Sequence, residues 1–283
     1  MKDFLTRIVT RVLQKFVRSS GDYVYIEGGL GSQILSFMQY KILLETNPRA
    51  KLDARYFHTT ASQKAKVWKW ELDEYGYSLP QMEEGLRAKI RYLGRDSRAR
   101  ASKDNLAIWK GISTKGFHDL FPLHNSTSVL MKQLNISQIE NFAAIHIRRG
   151  DYLTVSSKLV AVDEYLKVVR SLSLKFTGRV LVFSDDPFSD SDQMRIKSVC
   201  QGEVTFITGL DQHGVHGLMR CASTLVTSNS TFSLTAALLS ENKNPTIIAP
   251  TLFFSEENRD VNLLIQQLSN WMLIEKGSHE SKE

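Results

Sequence analysis

Cysteine is nearly absent from this chain: Cys200 and Cys221 are the only two in 283 residues. Two thiols cannot form a disulfide framework, and neither sits in a metal-ligand spacing, so a reducing, cytoplasmic setting is the expectation. Long apolar runs are missing as well. No stretch of about 18 uncharged apolar residues occurs, which excludes a sequence-evident bilayer-spanning helix. A secretory leader is not expected either, because Arg7, Arg11 and Lys15 interrupt the first apolar stretch and no small-residue cleavage site follows. Internal repeats and low-complexity tracts are lacking, apart from a polar tail at 277–283 that reads as disordered.

What is present is a composition 42% hydrophobic, enough for a full core, over a length that accommodates two α/β domains of about 130 residues each. The net charge of +6 would suggest nucleic acid if it were spread over the body of the protein, but it is concentrated in two segments. Residues 2–18 carry five basic side chains against Asp3, and residues 87–104 carry seven against Asp96 and Asp104, which leaves the remainder slightly acidic. That distribution fits contact with an anionic membrane or a phosphorylated acceptor better than a polynucleotide. Phe4, Leu5, Ile8, Val9, Val12, Leu13, Phe16 and Val17 recur at helical spacing opposite the basic residues. Two readings follow: a helix lying peripherally in a membrane interface, or one packed on the protein's own body or on a second copy in a homo-oligomer. The stretch from Arg87 to Lys103 reads either as a basic appendage or as a solvated loop.

The second half alternates short Val/Ile-rich runs with amphipathic stretches. Strands are predicted at Ala143–Ile147, Val180–Phe183, Val204–Ile207, Thr224–Thr227 and Thr246–Ala249. Helices are predicted near Asp163–Leu174, Asp190–Val199, Gly214–Cys221, Ser230–Glu241 and Asn258–Ile274. Repeated βαβ units at this spacing make a doubly wound, Rossmann-like domain. The first half opens on another βα unit, Tyr23–Glu27 followed by a helix from about Ser32 to Glu45, then a short strand at Ala50–Asp53. The expected fold is α/β, two Rossmann-like domains facing a cleft. Residues 1–20 form a basic helix, 21–140 an acceptor-side domain and 141–276 a nucleotide domain, with the boundary near Gln133–Asn141.

Chemistry is concentrated in Ala143-Ala144-Ile145-His146-Ile147-Arg148-Arg149-Gly150-Asp151, an apolar strand ending in two arginines, a glycine and an aspartate. Ligands collect at the carboxyl ends of parallel strands, where a guanidinium fork can hold two phosphate oxygens. Gly150 permits a sharp exit, and Asp151 can hold an arginine in plane. An Arg–Asp pair that merely fixes a turn is the structural alternative. Gly28, Gly29 and Gly31 lie between a strand and a helix, so backbone N–H groups can approach a diphosphate or a sugar. Ser230 and Thr231 open a helix after another strand and can form an anion site, or Asn229 or Ser230 can simply cap that helix. Asp185 and Asp186 follow a third strand and can accept from a ribose or a base, or start a turn before Pro187. Asp190-Ser191-Asp192 has the form of a metal-binding pair, but acidic residues suit the first turn of a helix and such short matches arise by chance, so no metal is expected there. His213 and His216 stand near a helix start without a third ligand and read as surface or capping histidines.

Four of these segments, in order, resemble the bacterial α-1,2-fucosyltransferases of glycosyltransferase family 11. They are Gly28-Gly29-Leu30-Gly31-Ser32-Gln33, His146-Ile147-Arg148-Arg149-Gly150-Asp151, Phe183-Ser184-Asp185-Asp186 and Asn229-Ser230-Thr231-Phe232-Ser233. The similarity runs from about Tyr23 to Phe254. It implies a two-domain GT-B architecture, GDP-fucose as donor, a glycan acceptor, inversion at the anomeric carbon and no metal cofactor. It places Gly28, Gly29, Gly31, Ser32, Arg148, Arg149, Asp185, Asp186, Asn229, Ser230, Thr231 and Phe232 on the donor side. Ser32 stands where the family has Asn, and Leu234-Thr235 where it usually shows two tryptophans, so the diphosphate grip is better supported than fucose against another deoxysugar. Arg148 is the candidate for stabilising the departing diphosphate, and Asp151, Glu27 and His146 are the candidate bases by position.

Overall fold

The structure is a computed structural model, and it describes residues 23–58, 68–81, 111–112, 116–137, 141–150, 162–171, 178–250 and 271–274. The basic N-terminal segment, the whole stretch from Arg87 to Lys103, Asp151 and the tail lie outside the described residues. No helix among the described residues is long and apolar enough to cross a membrane.

Two compact units are formed, Met1–Gly116 and Phe117–Glu283. In the first, strand β1 (Tyr23–Tyr25) leads through a glycine turn into helix α1 (Leu30–Thr46) and on to β2 (Lys51–Asp53), which pairs with β1 in parallel. Helix α1 begins at Leu30, two residues ahead of the predicted Ser32, so Gly31 and Ser32 lie in its first turn.

The second unit starts with helix α2 (Asn125–Gln133). There follow β3 (Phe142–His146), α3 (Val162–Ser171), β4 (Arg179–Phe183), α4 (Asp190–Val199), β5 (Val204–Ile207), α5 (Gln212–Cys221), β6 (Thr224–Val226), α6 (Thr231–Leu238), β7 (Thr246–Pro250) and β8 (Trp271–Ile274). All six strands are parallel, in the order β5-β4-β3-β6-β7-β8. Every residue of β3 is buried, as the continuous apolar run requires of a strand covered on both faces. One face, with Ala143, Ile145, Val180 and Val182, packs against Leu166 and Val169 of α3 and Ile196 and Val199 of α4. The other, with Ala144, Leu181 and Leu225, packs against Leu130 of α2, Leu218 and Met219 of α5 and Ala236 of α6.

Two expectations about the layout of the chain also differ from the structure. The units divide at Gly116/Phe117, ahead of the expected Gln133–Asn141, because α2 packs on α5. An added Cβ at Gly214 would lie 2.6 Å from Leu130, and one at Gly217 would lie 1.9 Å from Thr127. Trp271–Ile274, expected as a helix end, is a strand in parallel register with Ile247–Pro250.

Candidate functional site

The sheet order itself selects a place. From β3 the chain steps to β4 and β5 on one side, then returns to β6 on the other side of β3 and continues to β7 and β8. The reversal falls between β3 and β6, and the helices after them lie on opposite faces, so the segments leaving these strands diverge and open a crevice at their carboxyl ends. Three of the four sequence segments meet there, because β3 is flanked by β4 and β6 in register: Ile145 lies opposite Val182 and Val226.

His146 ends β3, only 4% exposed, and its Nδ1 lies 2.9 Å from Ser228 Oγ across the reversal point. Burial, and then the charge of Arg148, lowers its pKa to about 3, so the ring is neutral at ordinary pH. A base that weak accepts a proton poorly; the geometry gives His146 the task of holding the loop after β6 instead. In that loop Ser228 N–H donates to Ser233 Oγ (3.2 Å), and Ser230 caps α6 by accepting from Phe232 N–H (3.3 Å). The Phe232 ring lies between two imidazoles, with centroids 5.8 Å from His146 and 5.3 Å from His216. Phe232 therefore sets the spacing within the loop. The first turn of α6, with Ser230 and Thr231, is held at the crevice by packing as well as by its cap.

Arg148 and Asp185 interlock the second and third segments. Arg148 Nη1 lies 3.1 Å from Asp185 Oδ2, and the other oxygen, Oδ1, accepts from Arg149 N–H at 2.8 Å. Asp185 is thus a described partner of Arg148; Asp151, the partner expected from the sequence, lies outside the described residues. Gly150 is required at this point: a Cβ there would lie 2.0 Å from Asp185 Oδ2. Asp186 continues the turn, its N–H donating to Ser184 Oγ at 3.3 Å.

Arg149 points to helix α4. Its Nη1 is 3.0 Å from Asp192 Oδ2, and its guanidinium lies 5.2 Å from the Phe188 ring centre. Asp192 Oδ1 is 3.5 Å from Arg195, which also pairs with Asp163. The carboxylate that looked like half of a metal pair is a bracket between two arginines, and Ser189 caps its helix by accepting from Asp192 N–H (3.1 Å). Among the described residues, no group of three or more His, Cys, Asp or Glu side chains is placed to hold a metal ion.

His213 and His216 are buried, at 4% and 0% exposure, which corrects their reading as surface groups. His216 Nε2 lies 3.0 Å from Thr235 Oγ1, which in turn donates to Thr231 O (2.9 Å), so this histidine reaches the first turn of α6. Burial, followed by the charges of Arg220 and its histidine neighbours, holds its pKa well below the usual value. The helical periodicity around Gly214–Cys221 could have revealed this, since two histidines one turn apart share a face with Met219 and Arg220.

The fourth segment lies in the first unit. Gly28 has φ +79°, a left-handed conformation that suits glycine. Gln33, in the same segment, is fully buried and each polar group of its amide is used. Nε2 donates to the carbonyls of Gly28 and Lys69 (2.8 Å each), and Oε1 accepts from Glu71 N–H (2.9 Å). The signal was present: Leu30, Gln33, Ile34 and Phe37 form one buried helical stripe, and an amide in such a stripe needs internal partners.

The family model for glycosyl transferase family 11 matches residues 118–275, more than half of the chain. The chain belongs to glycosyltransferase family 11. The family 11 match covers the whole Rossmann-like sheet and the three segments that meet at its reversal point. An Alpha-1,2-colitosyltransferase of Escherichia coli is 30% identical over 158 residues, covering 50% of this chain and 50% of that protein. The chain thus spans about half the length of this curated relative. Among solved structures, E. coli ADP-heptose lps heptosyltransferase II is similar at 14% identity and a TM-score of 0.42, covering 81% of this chain and 84% of that one. POFUT1 in complex with GDP is similar at 11% identity and a TM-score of 0.45, covering 81% and 97%.

Proposed function

We propose that this family 11 chain is an inverting α-1,2-glycosyltransferase that moves a deoxyhexose, fucose first among the candidates, from its GDP-linked form to a hydroxyl of a glycan acceptor. The observation that carries the reading is the Arg148–Asp185 pair at the carboxyl end of the central strand, 3.1 Å apart beside the reversal point of the sheet. In the reaction the acceptor oxygen bonds to the anomeric carbon while the bond from that carbon to the β-phosphate oxygen breaks, and its electron pair leaves with the diphosphate. Arg148, oriented by Asp185, offers that oxygen a fixed cationic fork. The N–H groups at the start of α6 add donors where charge grows, and interactions that strengthen in this way lower the barrier. Cationic and backbone donors can thus take the part of a divalent cation. The acceptor proton goes to Asp151 or Glu27, since a neutral, weakly basic His146 is a poor recipient. GT-B is the fold class this reading implies.

A second donor is favoured by the colitosyltransferase relative and by Ser32: another deoxyhexose, such as colitose, in place of fucose. GDP release measured over GDP-fucose and a panel of other GDP- and UDP-sugars, with mixed glycans as acceptors, tests both. Release that is specific to GDP-deoxyhexoses and stimulated by acceptor is the expected result. Anion binding without release from any donor would contradict the enzyme and leave an α/β anion-binding module. The basic segment 2–18 fits peripheral contact with an anionic membrane, which vesicle sedimentation of the full and N-terminally truncated chains would measure.

A further inference from the structure

The glycine turn of the first unit carries an aromatic side chain that the donor reading does not use. Trp68 is 37% exposed and is the only aromatic among the exposed large apolar side chains of the described residues. Its indole lies against Gly29 so closely that a Cβ there would be 3.0 Å from both Cε3 and Cζ3. Glycine at this position is thus explained by the indole, with no appeal to a bound diphosphate.

The segment bearing Trp68 is held from beneath. Gln33 bonds Lys69 O and Glu71 N–H on either side of Trp70, which is itself buried at 9% exposure and donates from Nε1 to Tyr77 O (2.7 Å). A fully buried glutamine and a buried tryptophan therefore fix the backbone on which an exposed tryptophan is mounted. The carboxylate of Glu27 stands at the same turn, two residues before Gly29, hydrogen-bonded by Tyr25. Burial first, and then Glu27, pushes the Tyr25 hydroxyl up to about 12. A rigid, amphipathic ring surface on a glycine turn that also carries a carboxylate, two residues before that glycine at the carboxyl end of a parallel strand, suits one chemical class: a pyranose. The C–H face of a pyranose stacks on an indole while its rim hydroxyls donate to an oxygen acceptor.

We propose that Trp68, set against Gly29 and anchored through Gln33, is the stacking platform for a hexopyranose ring of the acceptor glycan, with Glu27 accepting from a ring hydroxyl. The identification of that sugar as the acceptor rests on the transferase reading; the sugar site itself does not. The unit bearing Trp68 is also the one without the arginine that grips the diphosphate, so the second substrate is the fitting occupant. Conformational entropy favours such a residue, because an indole has few rotamers to lose on binding.

The test uses the full chain labelled with ¹⁵N at tryptophan. The indole Nε1 signal of Trp68, assigned by its loss in Trp68→Phe, is followed while methyl β-D-galactopyranoside is added. This pyranoside has one ring face composed largely of C–H bonds. A saturable shift of the Trp68 signal is expected in the wild-type chain; affinity read in all three chains from ligand-observed saturation transfer to the pyranoside should be lowered about tenfold or more in Trp68→Ala and less in Trp68→Phe, which keeps an aromatic face. Thermal unfolding of both variants near the wild-type midpoint would show that the loss is local. No saturable shift, or equal affinity in wild type and a folded Trp68→Ala, overturns the proposal. Saturable binding at Trp68 in a chain that never releases GDP would contradict the transferase reading and leave the sugar site standing.

Discussion

Arg148 and Asp185 are joined by one oxygen of a carboxylate whose other oxygen holds the backbone N–H of Arg149, at 3.1 and 2.8 Å. A single side chain thus fixes both the plane of the guanidinium and the path of the chain beneath it. Asp185→Asn can keep the bond to the backbone N–H but loses the charged partner. Turnover of donor is expected to fall roughly tenfold to a hundredfold, the range for loss of one oriented electrostatic element, with a small change in melting temperature. Steady-state GDP release beside thermal unfolding reads both quantities. A large fall in melting temperature with normal turnover of the folded fraction would give the pair a purely structural role.

Gly150→Ala tests the same pair from the other side. The added methyl would lie 2.0 Å from Asp185 Oδ2, at a residue whose φ is +22°, so the carboxylate must move away from Arg148. Loss of turnover at least as large as in Asp185→Asn is expected. Gly217→Ala is the contrasting variant, because its methyl meets Thr127 between α5 and α2, away from the crevice. It should cost about 1–3 kcal/mol of stability through overpacking, while the folded enzyme keeps its turnover. Urea unfolding and kinetics on both variants check the contrast, and reversed outcomes would contradict the placement of the site.

Much of the second unit was legible in the sequence, for a physical reason. The runs Arg179–Phe183, Val204–Ile207 and Thr246–Pro250 are short, β-branched and bounded by polar turns, so period and length agree on a strand. Trp271–Ile274 has no period that separates strand from helix; only its pairing with β7 decides it. Helix α6 ends at Leu238, short of Glu241, where Ser240 and Asn242 bond the carbonyls of Arg220, Cys221 and Ala222. No local rule reveals those long-range bonds. At the site, the arginine and its neighbours were visible as residue types, but the pairing of Arg148 with Asp185 depends on β3 and β4 lying in register, which brings Phe183 opposite His146.

Acid should destabilise the second unit through its buried histidines. His146 has a folded pKa near 3 against 6.5 as the ordinary value, so the unfolded chain takes up the proton first. Its contribution is present in full above pH 6.5 and is lost as pH falls below that value toward 3, at up to about 1.4 kcal/mol per pH unit. His216 acts in the same direction. Urea midpoints taken from pH 7.5 down to about 4.5 should fall less steeply for His146→Gln than for wild type. Parallel slopes would contradict the neutral, buried assignment.

Chelation separates the arginine account from a metal account. Asp192 is already bracketed by Arg149 at 3.0 Å and Arg195 at 3.5 Å, which leaves it poorly disposed toward a cation. GDP release should therefore persist in excess EDTA. Activity lost in chelator and restored by Mn²⁺ or Mg²⁺ would overturn this and make Asp190 and Asp192 ligands.

The most direct measurement is kcat and melting temperature together for Arg148→Lys and Arg148→Ala. Lysine keeps the charge but not the planar fork, so if Arg148 stabilises the departing diphosphate, kcat should fall by about a hundredfold or more in both variants. Melting temperature should move little, since Arg148 keeps 17% side-chain exposure and its pair with Asp185 is partly solvated. Near wild-type kcat in a destabilised Arg148→Ala chain would contradict the account at its central residue.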